Sequence, residues 1–542
     1  MKFRIHLKNF QSIKEATLDI APLTFLAGPN SAGKSAVADA LEAISLNFGQ
    51  QSESISFEKI ENFRRDISEK MTYGIGGDFV FNESPFHYYK LENMGLEKSL
   101  LMGLGYDLSM GSYHKSIKSG DLLFHVVPVF KFTVPQMDIY INGEMAVSFG
   151  LASNSIIFYL SNSVIIDILE GLSIFRLLRN ESLDERVFRD NKVLSISANF
   201  DFGRVNNFFG VKVFFNEKTS IVTEVLQYII NSLISAIKSK CWPFEVDDSC
   251  SDFDEGLIDP FVHIGPLRSI PEKDAIKIYR SMGGEFEKRE VPSWNKGEYA
   301  WYNIAAGIAE NNKMHACEVM GIKTVDNNCY DFSSGQVSIN SYLVNNLSRL
   351  NETLCGKSLM LDYRLTGSVD LTLSLTGCEL PFSPRAIANA DYSATLRVID
   401  GNGKIHLLSD VGVGISQVIP VLYAGLTQPF SIIEQPELHL HPKLQLELAS
   451  FFIEQVEEGR MFILETHSEN MFLRVLRTIR ETNSLGVSNQ RLKLHQDQVS
   501  VLYFEKTDSL YTNIHALRIS EDGEFIDRWP EGFFAEREAE LF

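Results

Sequence analysis

The sequence predicts an α/β fold that contains a parallel sheet. Near the N-terminus, a short apolar strand, a glycine-rich loop and an amphipathic helix follow one another within residues 23–45. Near the C-terminus, residues 430–467 show a strand–helix–strand pattern. A helix between two strands is the usual connection of parallel strands, whereas a tight hairpin can join only antiparallel strands. Between these two regions, apolar and polar residues alternate in several segments, which indicates further strands.

Composition and charge define the broad class. The chain has 542 residues, of which 44% are hydrophobic and 22% charged, and its formal net charge is −20. This length predicts two or more domains. This excess of acidic residues argues against a protein that binds nucleic acid over its whole surface. The six cysteines include no C-x-x-C pair, which argues against disulfides or a zinc site and favours a reducing cytoplasm.

No segment is typical of a signal peptide or a membrane span. The opening "MKFRIHLKNF" lacks the apolar core of a signal peptide. The most apolar long stretch, residues 151–172, contains Asn154, Asn162, Asp167 and Glu170, which are costly in lipid. We interpret this stretch as a buried helix or strand, and we expect a soluble, cytoplasmic protein with no membrane partner.

The patterns divide the chain into three predicted parts. Residues 1–175 would form a first lobe with the glycine-rich loop and antiparallel strands, including a hairpin at Asn142-Gly143. Residues 176–390 would form an inserted region that is mostly helical or mixed. Residues 391–542 would form a second lobe that ends in a hairpin of "VSVLYFEK" and "NIHALRIS". The first and last parts would build one head from both ends of the chain.

The strongest motif is Gly28-Pro-Asn-Ser-Ala-Gly-Lys-Ser35, which matches G-x-x-x-x-G-K-[ST] throughout. Backbone N–H groups of such a loop point inward and cradle phosphate oxygens at the start of a helix. Lys34 would reach the β- and γ-phosphates of a nucleotide, and the Ser35 hydroxyl would bind Mg²⁺. A glycine-rich turn that matches by chance is the alternative. The strand before the loop and the amphipathic helix after it argue for phosphate binding.

A carboxylate and a histidine follow the two strands of the C-terminal strand–helix–strand. Glu434 ends the first strand, where a Walker B acid would hold Mg²⁺ directly or through water. His467 follows the second strand. Ligands of open parallel sheets bind beyond the carboxyl ends of the strands, so both residues are candidates for one site. A histidine in a loop is otherwise more often an ordinary surface residue.

These motifs resemble the ABC-type ATPase heads of the SMC, Rad50, RecF and OLD (overcoming lysogenization defect) group. In that group a long insertion separates the phosphate-binding loop from the later motifs, and here about 400 residues separate Lys34 from Glu434. A glycine-rich turn before an apolar helix, residues 408–426, lies where that group has its signature. A plain helix start is the alternative interpretation of this turn.

Several segments resemble more closely the AAA-type ATPases of bacterial anti-phage defence, including Septu and some retron systems, in which the ATPase assembles with a separate nuclease. The segments are "LKNFQSIKEATLDIAPLTFLAGPNSAGKS" (7–35), "HIGPLRSIP" (263–271), "DVGVGISQ" (410–417), "IEQPELHLHPKLQ" (433–445), "ETHSE" (465–469) and "WPEGFFAE" (529–536). The resemblance is specific over residues 1–50 and 400–542.

The resemblance implies a set of ligands and partners. ATP and Mg²⁺ would be the cofactors, with Ser35 and Glu434 at the metal. Two heads would form a dimer in which the loop of one chain faces the 410–417 turn of the other. The nucleotide contacts would come from two groups of residues, the loop residues Asn30, Ser31, Gly33, Lys34 and Ser35 and the signature residues Gly412, Gly414 and Ser416. Because the signature departs from LSGGQ, which of the last three contacts the γ-phosphate stays open.

Gln435 stands where this group usually has the glutamate that acts as general base. A glutamine cannot accept a proton at neutral pH, but it can orient a water molecule, and loss of a positioned base costs about 10²–10⁴-fold in rate. Glu437 could replace the base if the chain turns sharply after the strand. Gln435 could instead orient water for slow hydrolysis, as a glutamine does in GTPases, or the head could bind ATP without hydrolysing it. We favour slow or partner-controlled hydrolysis, with Glu434, Gln435, Glu437 and His467 as the catalytic candidates.

The preferred function is therefore an ATPase subunit that regulates or scaffolds a partner effector, a nuclease in phage defence, with any nucleic acid contacted through the complex. The sequence shows neither a Toprim-type carboxylate cluster nor an H-N-H constellation, so cutting is expected in the partner. One alternative is a DNA-repair type of ATPase or clamp that acts on DNA ends. A second is a nucleotide-stabilised scaffold that does not hydrolyse ATP.

Three further features have ordinary interpretations. The "HLHP" segment (439–442) resembles a metal site, but a structural role is favoured because no third ligand is evident. For Arg268 a salt bridge is the default, with a phosphate or inter-subunit contact as the alternatives. The aromatic cluster from Trp529 to Phe534 is expected to pack onto the head.

Overall fold

The computed structural model describes most of both ends of the chain and parts of its middle. The described residues are 2–47, 57–66, 68–83, 113–126, 135–150, 155–159, 161–166, 193–201, 212–215, 230, 233, 234, 237, 261–270, 276–278, 293–304, 348–367, 392–484, 492–506 and 511–529. They fall into two compact units. The first draws on Met1–Pro260, Asp497–Arg518 and Phe525–Phe542, and the second on Phe261–Gln496 and Ile519–Glu524.

An antiparallel sheet of nine strands dominates the first unit, in the order β10-β9-β8-β7-β6-β5-β4-β1-β2. Its strands are β1 (Phe3–Phe10), β2 (Ile13–Ile20), β4 (Met71–Glu83), β5 (Tyr113–Val126), β6 (Pro135–Ile141), β7 (Glu144–Gly150), β8 (Ser155–Tyr159), β9 (Val193–Asp201) and β10 (Lys212–Phe215). Alternate residues of β1 are buried, as its period-2 pattern predicts. The predicted hairpin at Asn142-Gly143 is confirmed, since these two residues join β6 to β7.

The first unit also contains a strand–loop–helix and the C-terminal hairpin. Strand β3 (Leu23–Ala27) leads into the glycine-rich loop and helix α1 (Ala36–Asn47), and a short helix α2 (Phe57–Glu61) follows. Strand β18 (Val499–Lys506) pairs with β3 in parallel and with β19 (Thr512–Ala516) antiparallel. The prediction that both chain ends build one structure is confirmed by the β3–β18 pair.

Helix α1 packs through small and branched apolar side chains. Val37, Leu41 and Ile44 are fully buried, which confirms the predicted helical face. At the end of the helix, the Asn47 side chain donates a hydrogen bond of 2.8 Å to the hydroxyl of Tyr73 in β4. The helix is therefore fastened to the antiparallel sheet as well as to the strand that precedes the loop.

Three neighbouring parallel strands lie in the second unit. They are β11 (Val262–Ile264), β16 (Phe430–Glu434) and β17 (Met461–Glu465), with β16 paired to both neighbours. The first four residues of β16 and of β17 are buried, as expected for parallel strands covered on both faces. The predicted strand–helix–strand is confirmed. Strand β11 lies in the segment predicted to be an insertion, because a three-residue strand carries no periodic signal.

Helices flank these parallel strands. They are α3 (Val413–Thr427), α4 (Pro442–Glu457) and α5 (Glu469–Asn483). Pro442 is at the start of α4 and Gly459, with φ of 92°, follows its end, as predicted. Phe452 of α4 packs on Phe462 of β17 with ring centroids 4.9 Å apart. The α/β class predicted from the sequence is thus confirmed.

The remaining strands of the second unit form an antiparallel sheet. They are β12 (Ile276–Ile278), β13 (Leu359–Gly367), β14 (Tyr392–Asp400) and β15 (Ile405–Leu407), with β14 paired to the other three. Residues 220–240, whose pattern predicts an amphipathic helix, lie mostly outside the described residues, and the acidic stretch 245–259, which predicts a loop, lies wholly outside them. The division into residues 1–175, 176–390 and 391–542 stays a prediction. Among the described residues, no helix is long and apolar enough to cross a membrane.

Candidate functional site

The glycine-rich loop has the conformation of a phosphate cradle. Gly28, Ser31 and Gly33 have positive φ angles of 135°, 61° and 93°. A Cβ on Gly28 would lie 2.3 Å from the carbonyl oxygen of Phe504 in β18, so only glycine fits there. The loop ends where α1 begins, and the positive end of a helix dipole favours an anion. The local geometry therefore suits phosphate groups.

The side chain of Lys34 lies against its own loop. It is only 3% exposed, and its Nζ donates to the carbonyl oxygens of Gly28 at 3.0 Å and Pro29 at 2.9 Å. By contrast, Asn30, Ser31 and Ser35 are exposed. The loop therefore offers one ammonium group and three exposed polar residues. Together these groups can bind the charged end of a nucleotide.

Two residues behind the loop were not predicted from the sequence. The Thr512 hydroxyl donates to the carbonyl oxygen of Ala32 at 2.8 Å, and the Thr512 N–H donates to the Ser12 carbonyl oxygen at 2.8 Å. A Cβ on Gly33 would lie 2.1 Å from the Ser12 hydroxyl. Residues from both chain ends thus support the back of the loop, and no local pattern could reveal a contact between positions 12 and 512.

In the second unit, the chain turns sharply after Glu434. The N–H of Gln435 donates to the carbonyl oxygen of Glu465 at 2.7 Å, which extends the β16–β17 pairing by one bond. Gln435 itself has a φ of 44°, a conformation that side-chain-bearing residues adopt rarely and at a cost. This turn changes the direction of the chain at the position where the resemblance noted in the sequence implies a general base.

The carboxylate of Glu434 has a partner that was not singled out from the sequence. His263, in β11, lies with its Nε2 2.9 Å from Glu434 Oε1, and both side chains are less than one-fifth exposed. The segment "HIGPLRSIP" was noted for its resemblance, but nothing local distinguishes its histidine. The parallel pairing of β11 with β16 brings the two side chains together.

Glu437 is buried at the end of the same turn. Its Oε1 accepts a hydrogen bond of 2.8 Å from the backbone N–H of His467, and the residue is 9% exposed. Burial raises the pKa of the Glu437 carboxyl, which the His467 N–H and the charge of Arg268 offset only in part. The turn thus aims Glu437 at the chain that follows β17, and a raised pKa is typical of a carboxyl suited to proton transfer.

We expect Glu437→Gln to change how stability depends on pH. A carboxyl with a raised pKa in the folded protein holds a proton that the unfolded chain has lost, so wild-type stability falls as pH rises from the ordinary value of 4.5 through the folded pKa. Glutamine is neutral in both states and can still accept from His467. Melting temperatures of both proteins from about pH 4 to about pH 8 should therefore diverge in favour of the variant. Parallel curves would contradict the raised pKa.

The structure places His467 in the segment that joins β17 to α5. Its backbone binds Glu437, and the next residue, Ser468, caps α5 by accepting from the Met471 N–H. The Ser468 hydroxyl also lies 2.7 Å from Gln445 Oε1 of α4. The segment is thereby held to two helices. Within the second unit, the structure brings together Glu434, Gln435, Glu437 and His467, as their spacing predicts; that they are catalytic stays a prediction.

The three signature candidates differ in their surroundings. Gly412 is exposed and precedes α3, where no side chain caps the helix. Gly414 packs against the backbone of His439. Ser416 is fully buried, and its hydroxyl donates to the carbonyl oxygen of Leu408 at 3.0 Å. Of the three, Gly412 is the residue whose backbone a ligand could reach directly.

The structure also shows the surroundings of the "HLHP" segment, Trp529 and Arg268. The Nδ1 of His441 accepts from the Lys443 N–H at 3.3 Å and caps α4, so this histidine of "HLHP" has a structural role. Within the described ranges, no three or more His, Cys, Asp or Glu side chains cluster so that they could hold a metal ion. Trp529 packs edge-on against Tyr503 and Phe525, while the rest of that cluster lies outside the described residues. For Arg268 the default interpretation is wrong: its guanidinium donates to backbone carbonyls.

Comparisons with known proteins agree with the loop geometry. Residues 1–116 match the family model described as "AAA ATPase domain". Residues 494–542 match the model described as "Protein of unknown function (DUF3696)". No curated protein matches the chain. The N-terminal region, with its strand, glycine-rich loop and helix, is therefore similar to an AAA ATPase domain.

Several solved structures align over almost the whole chain with low TM-scores. A crystal structure of an SMC head bound to the C-terminal winged-helix domain of ScpA has a TM-score of 0.36 at 11% identity, covering 96% of this chain and 98% of that one. An Smc head bound to the C-terminal domain of ScpA, from Pyrococcus furiosus, gives 0.34 at 12%, covering 96% and 97%. The SMC head domain from Thermotoga maritima gives 0.32 at 9%, covering 96% and 100%. The fold class is accordingly assigned from the strand pairings of the chain itself.

Proposed function

We propose that this protein is an ABC-type ATPase subunit that binds Mg²⁺ and ATP, hydrolyses ATP slowly, and controls a separate effector. The observation that carries the proposal is the P-loop, whose positive φ angles and enclosed Lys34 suit polyphosphate. The Ser35 hydroxyl is exposed at the start of α1, and oxygen ligands are the ones that Mg²⁺ prefers. When bound, Mg²⁺ would neutralise charge on the phosphates.

Slow hydrolysis is supported by the turn after β16. Gln435 stands at the position of the usual base and cannot take a proton from water at neutral pH. Glu437 can do so, but it is buried and already accepts a hydrogen bond from the His467 backbone. Hydrolysis would then depend on either a glutamine that only orients water or a carboxyl that must become accessible. Both routes suit a switch whose bound state matters more than its turnover.

Dimerisation of two heads is supported by exposed apolar residues near the signature turn. Leu267 is 78% exposed and Val413 is 50% exposed. Their neighbours Arg268 and Gln417 are hydrogen-bonded to each other, so both apolar side chains belong to one region of the second unit. Large apolar side chains at such exposure are typical of contact surfaces, and a second copy of this chain is the partner that the resemblance implies.

The identity of the effector rests on the resemblance to anti-phage ATPases. That resemblance implies a nuclease in a bacterial defence complex, with nucleic acid contacted by the complex. The discriminating experiment is single-turnover hydrolysis of labelled ATP, with ATP affinity and mass in solution measured in parallel, each with and without duplex DNA. Tight binding, slow hydrolysis and ATP-dependent dimers that ignore DNA would support the switch. Strong stimulation by DNA ends would favour the DNA-repair type of ATPase instead, and no ATP binding would reject both.

We expect His263→Ala to raise the Mg²⁺ concentration needed for half-maximal ATP hydrolysis by about 10-fold. The reason is that His263 orients the Glu434 carboxylate from 2.9 Å, and loss of such a support typically weakens a metal site. A matched control is His515→Ala, which removes a β19 histidine whose Nε2 lies at the same 2.9 Å from Oε2 of Glu505 in β18. Equal Mg²⁺ dependence in wild type and His263→Ala would contradict a metal-binding role for Glu434.

A further inference from the structure

The structure contains a buried arginine that binds three backbone carbonyls. Arg268 follows β11 and is 5% exposed. Its Nη2 donates to the carbonyl oxygens of Glu434 at 2.6 Å and Gln435 at 3.2 Å. Its Nη1 donates to the carbonyl oxygen of Gln417 in α3 at 3.4 Å. One planar guanidinium therefore contacts both the turn after β16 and the first turns of α3.

Gln417 returns the interaction through its side chain. Its Oε1 accepts from the Arg268 backbone N–H at 3.1 Å, and its Nε2 donates to the Arg268 carbonyl oxygen at 2.6 Å. Each residue thus binds the backbone of the other, and Gln417 is itself only 6% exposed. These two hydrogen bonds fix the Gln417 amide relative to the Arg268 backbone, because a shift would leave buried polar atoms unpaired.

The charge of Arg268 remains in place at neutral pH. Burial lowers the pKa of its guanidinium to about 10, while the nearby carboxylates Glu437 and Glu434 act in the opposite direction. A positive charge beside the Glu434 and Gln435 carbonyls fixes the direction of their peptide groups. Arginine suits this task because its planar fork presents several donors at once, whereas lysine offers a compact point charge.

The strained conformation of Gln435 needs such support. A glutamine with φ of 44° persists only when the surrounding structure over-determines it. The Gln435 N–H is held by Glu465, and the Gln435 carbonyl accepts from the Leu438 N–H at 3.1 Å and from Arg268. Removal of the guanidinium would leave the carbonyl side of this residue held by one local bond.

A second contact joins α3 to the same region. A Cβ on Gly414 would lie 2.5 Å from the carbonyl oxygen of His439, so the backbone of the signature turn packs directly on the chain that leads into α4. With packing at Gly414 and hydrogen bonds at Gln417, α3 cannot shift without moving the turn that carries Glu434 and Gln435.

We propose that Arg268 is a positioning residue of this ATPase, which together with Gln417 fastens the signature helix to the Glu434–Gln435 turn, so that the position of α3 sets the position of Gln435. The inference rests on the proposed function. It assigns to the "GPLR" segment a link between the surface where a second copy would bind and the catalytic candidates Glu434 and Gln435. Engagement of the signature turn would then change hydrolysis through this link rather than through nucleotide affinity.

The test compares Arg268→Lys and Gln417→Leu with wild type. Both variants are expected to lower the single-turnover rate of ATP hydrolysis about 10- to 100-fold, because small misplacements of reacting groups cost this much. ATP affinity should change less than about 2-fold, because neither residue belongs to the P-loop. Hydrogen exchange should speed up in the peptide spanning residues 430–441, where the strained turn loses support, but not in α5.

Arg460→Lys is the matched control. Arg460 also donates to a backbone carbonyl, that of Leu426, from 2.9 Å, but it binds the opposite end of α3. This control should keep the wild-type rate and exchange. Melting curves identify any variant that does not fold. If Arg268→Lys is unfolded, Gln417→Leu still tests the link, because Arg268 and its charge are unchanged in that variant.

The outcomes separate the inference from the proposed function. Wild type that does not bind ATP would reject the proposed function. Wild type that binds and hydrolyses ATP while Arg268→Lys and Gln417→Leu match it in rate would overturn only the positioning role. Variants that lose affinity and rate by the same factor would also overturn it, because a residue that acts on the Glu434–Gln435 turn should leave nucleotide affinity unchanged.

Discussion

Lys34→Ala is expected to lower the rate of ATP hydrolysis by at least about 100-fold and to weaken ATP binding. In the structure, the Lys34 ammonium is enclosed by its own loop, within hydrogen-bonding distance of the Gly28 and Pro29 carbonyls. When ATP binds, the ammonium would exchange these carbonyl contacts for contacts with phosphate oxygens. Alanine has no group that could make them. Titration calorimetry with ATP and single-turnover kinetics measure the two effects separately.

Two further variants make the Lys34 result specific. Lys8→Ala removes an exposed lysine from β1 of the same unit and should leave binding unchanged, which controls for the loss of one charge. Lys34→Arg keeps the charge but replaces a compact ammonium with a wider planar group, so we expect it to remain impaired. Full ATP binding by Lys34→Ala would mean that the loop is a structural turn.

Gln435→Glu is expected to raise the rate of ATP hydrolysis by about 10²–10⁴-fold, because it restores a proton acceptor at the usual position of the base. The substitution keeps the length of the side chain. Both residues pay a similar cost for the φ of 44° at this position, so the backbone turn should be retained. Single-turnover hydrolysis and melting temperature, measured on both proteins, test the rate and the retained fold.

Glu437→Gln in the wild-type background separates the two possible bases. If Gln435 limits hydrolysis and Glu437 has only a structural role, Glu437→Gln should leave the slow wild-type rate within about 3-fold. Brisk wild-type hydrolysis that Glu437→Gln abolishes would show the opposite. The raised pKa of Glu437 would then describe the working base, and the slow-switch interpretation of Gln435 would be wrong.

Local patterns predicted much of this architecture. The alternation in β1, the crossover from β16 through α4 to β17, and the C-terminal hairpin were all evident, because each depends on the period of its own residues. The P-loop could be recognised because its chemistry resides in eight consecutive positions. Glu434, Gln435 and His467 could be placed near one another because parallel strands end at the same edge of a sheet.

The contacts that define how the site works were not evident from the sequence. His263 and Glu434 are 171 positions apart, and Arg268 and Gln417 are 149 apart. No period or motif relates such positions, and a three-residue strand such as β11 is too short to be detected by alternation. Likewise, only the folded chain shows that Ser12 and Thr512 support the P-loop.

The sequence by itself determined the fold class of the protein and the candidate residues for phosphate binding, because backbone conformation and phosphate chemistry are properties of short segments. The tertiary structure decided which side chains support them. It paired His263 with Glu434, buried Glu437 against the backbone of His467, and used Arg268 to join α3 to the Gln435 turn. These outcomes depend on burial and on side-chain geometry between distant segments, which are fixed only when the parallel strands and their flanking helices have packed.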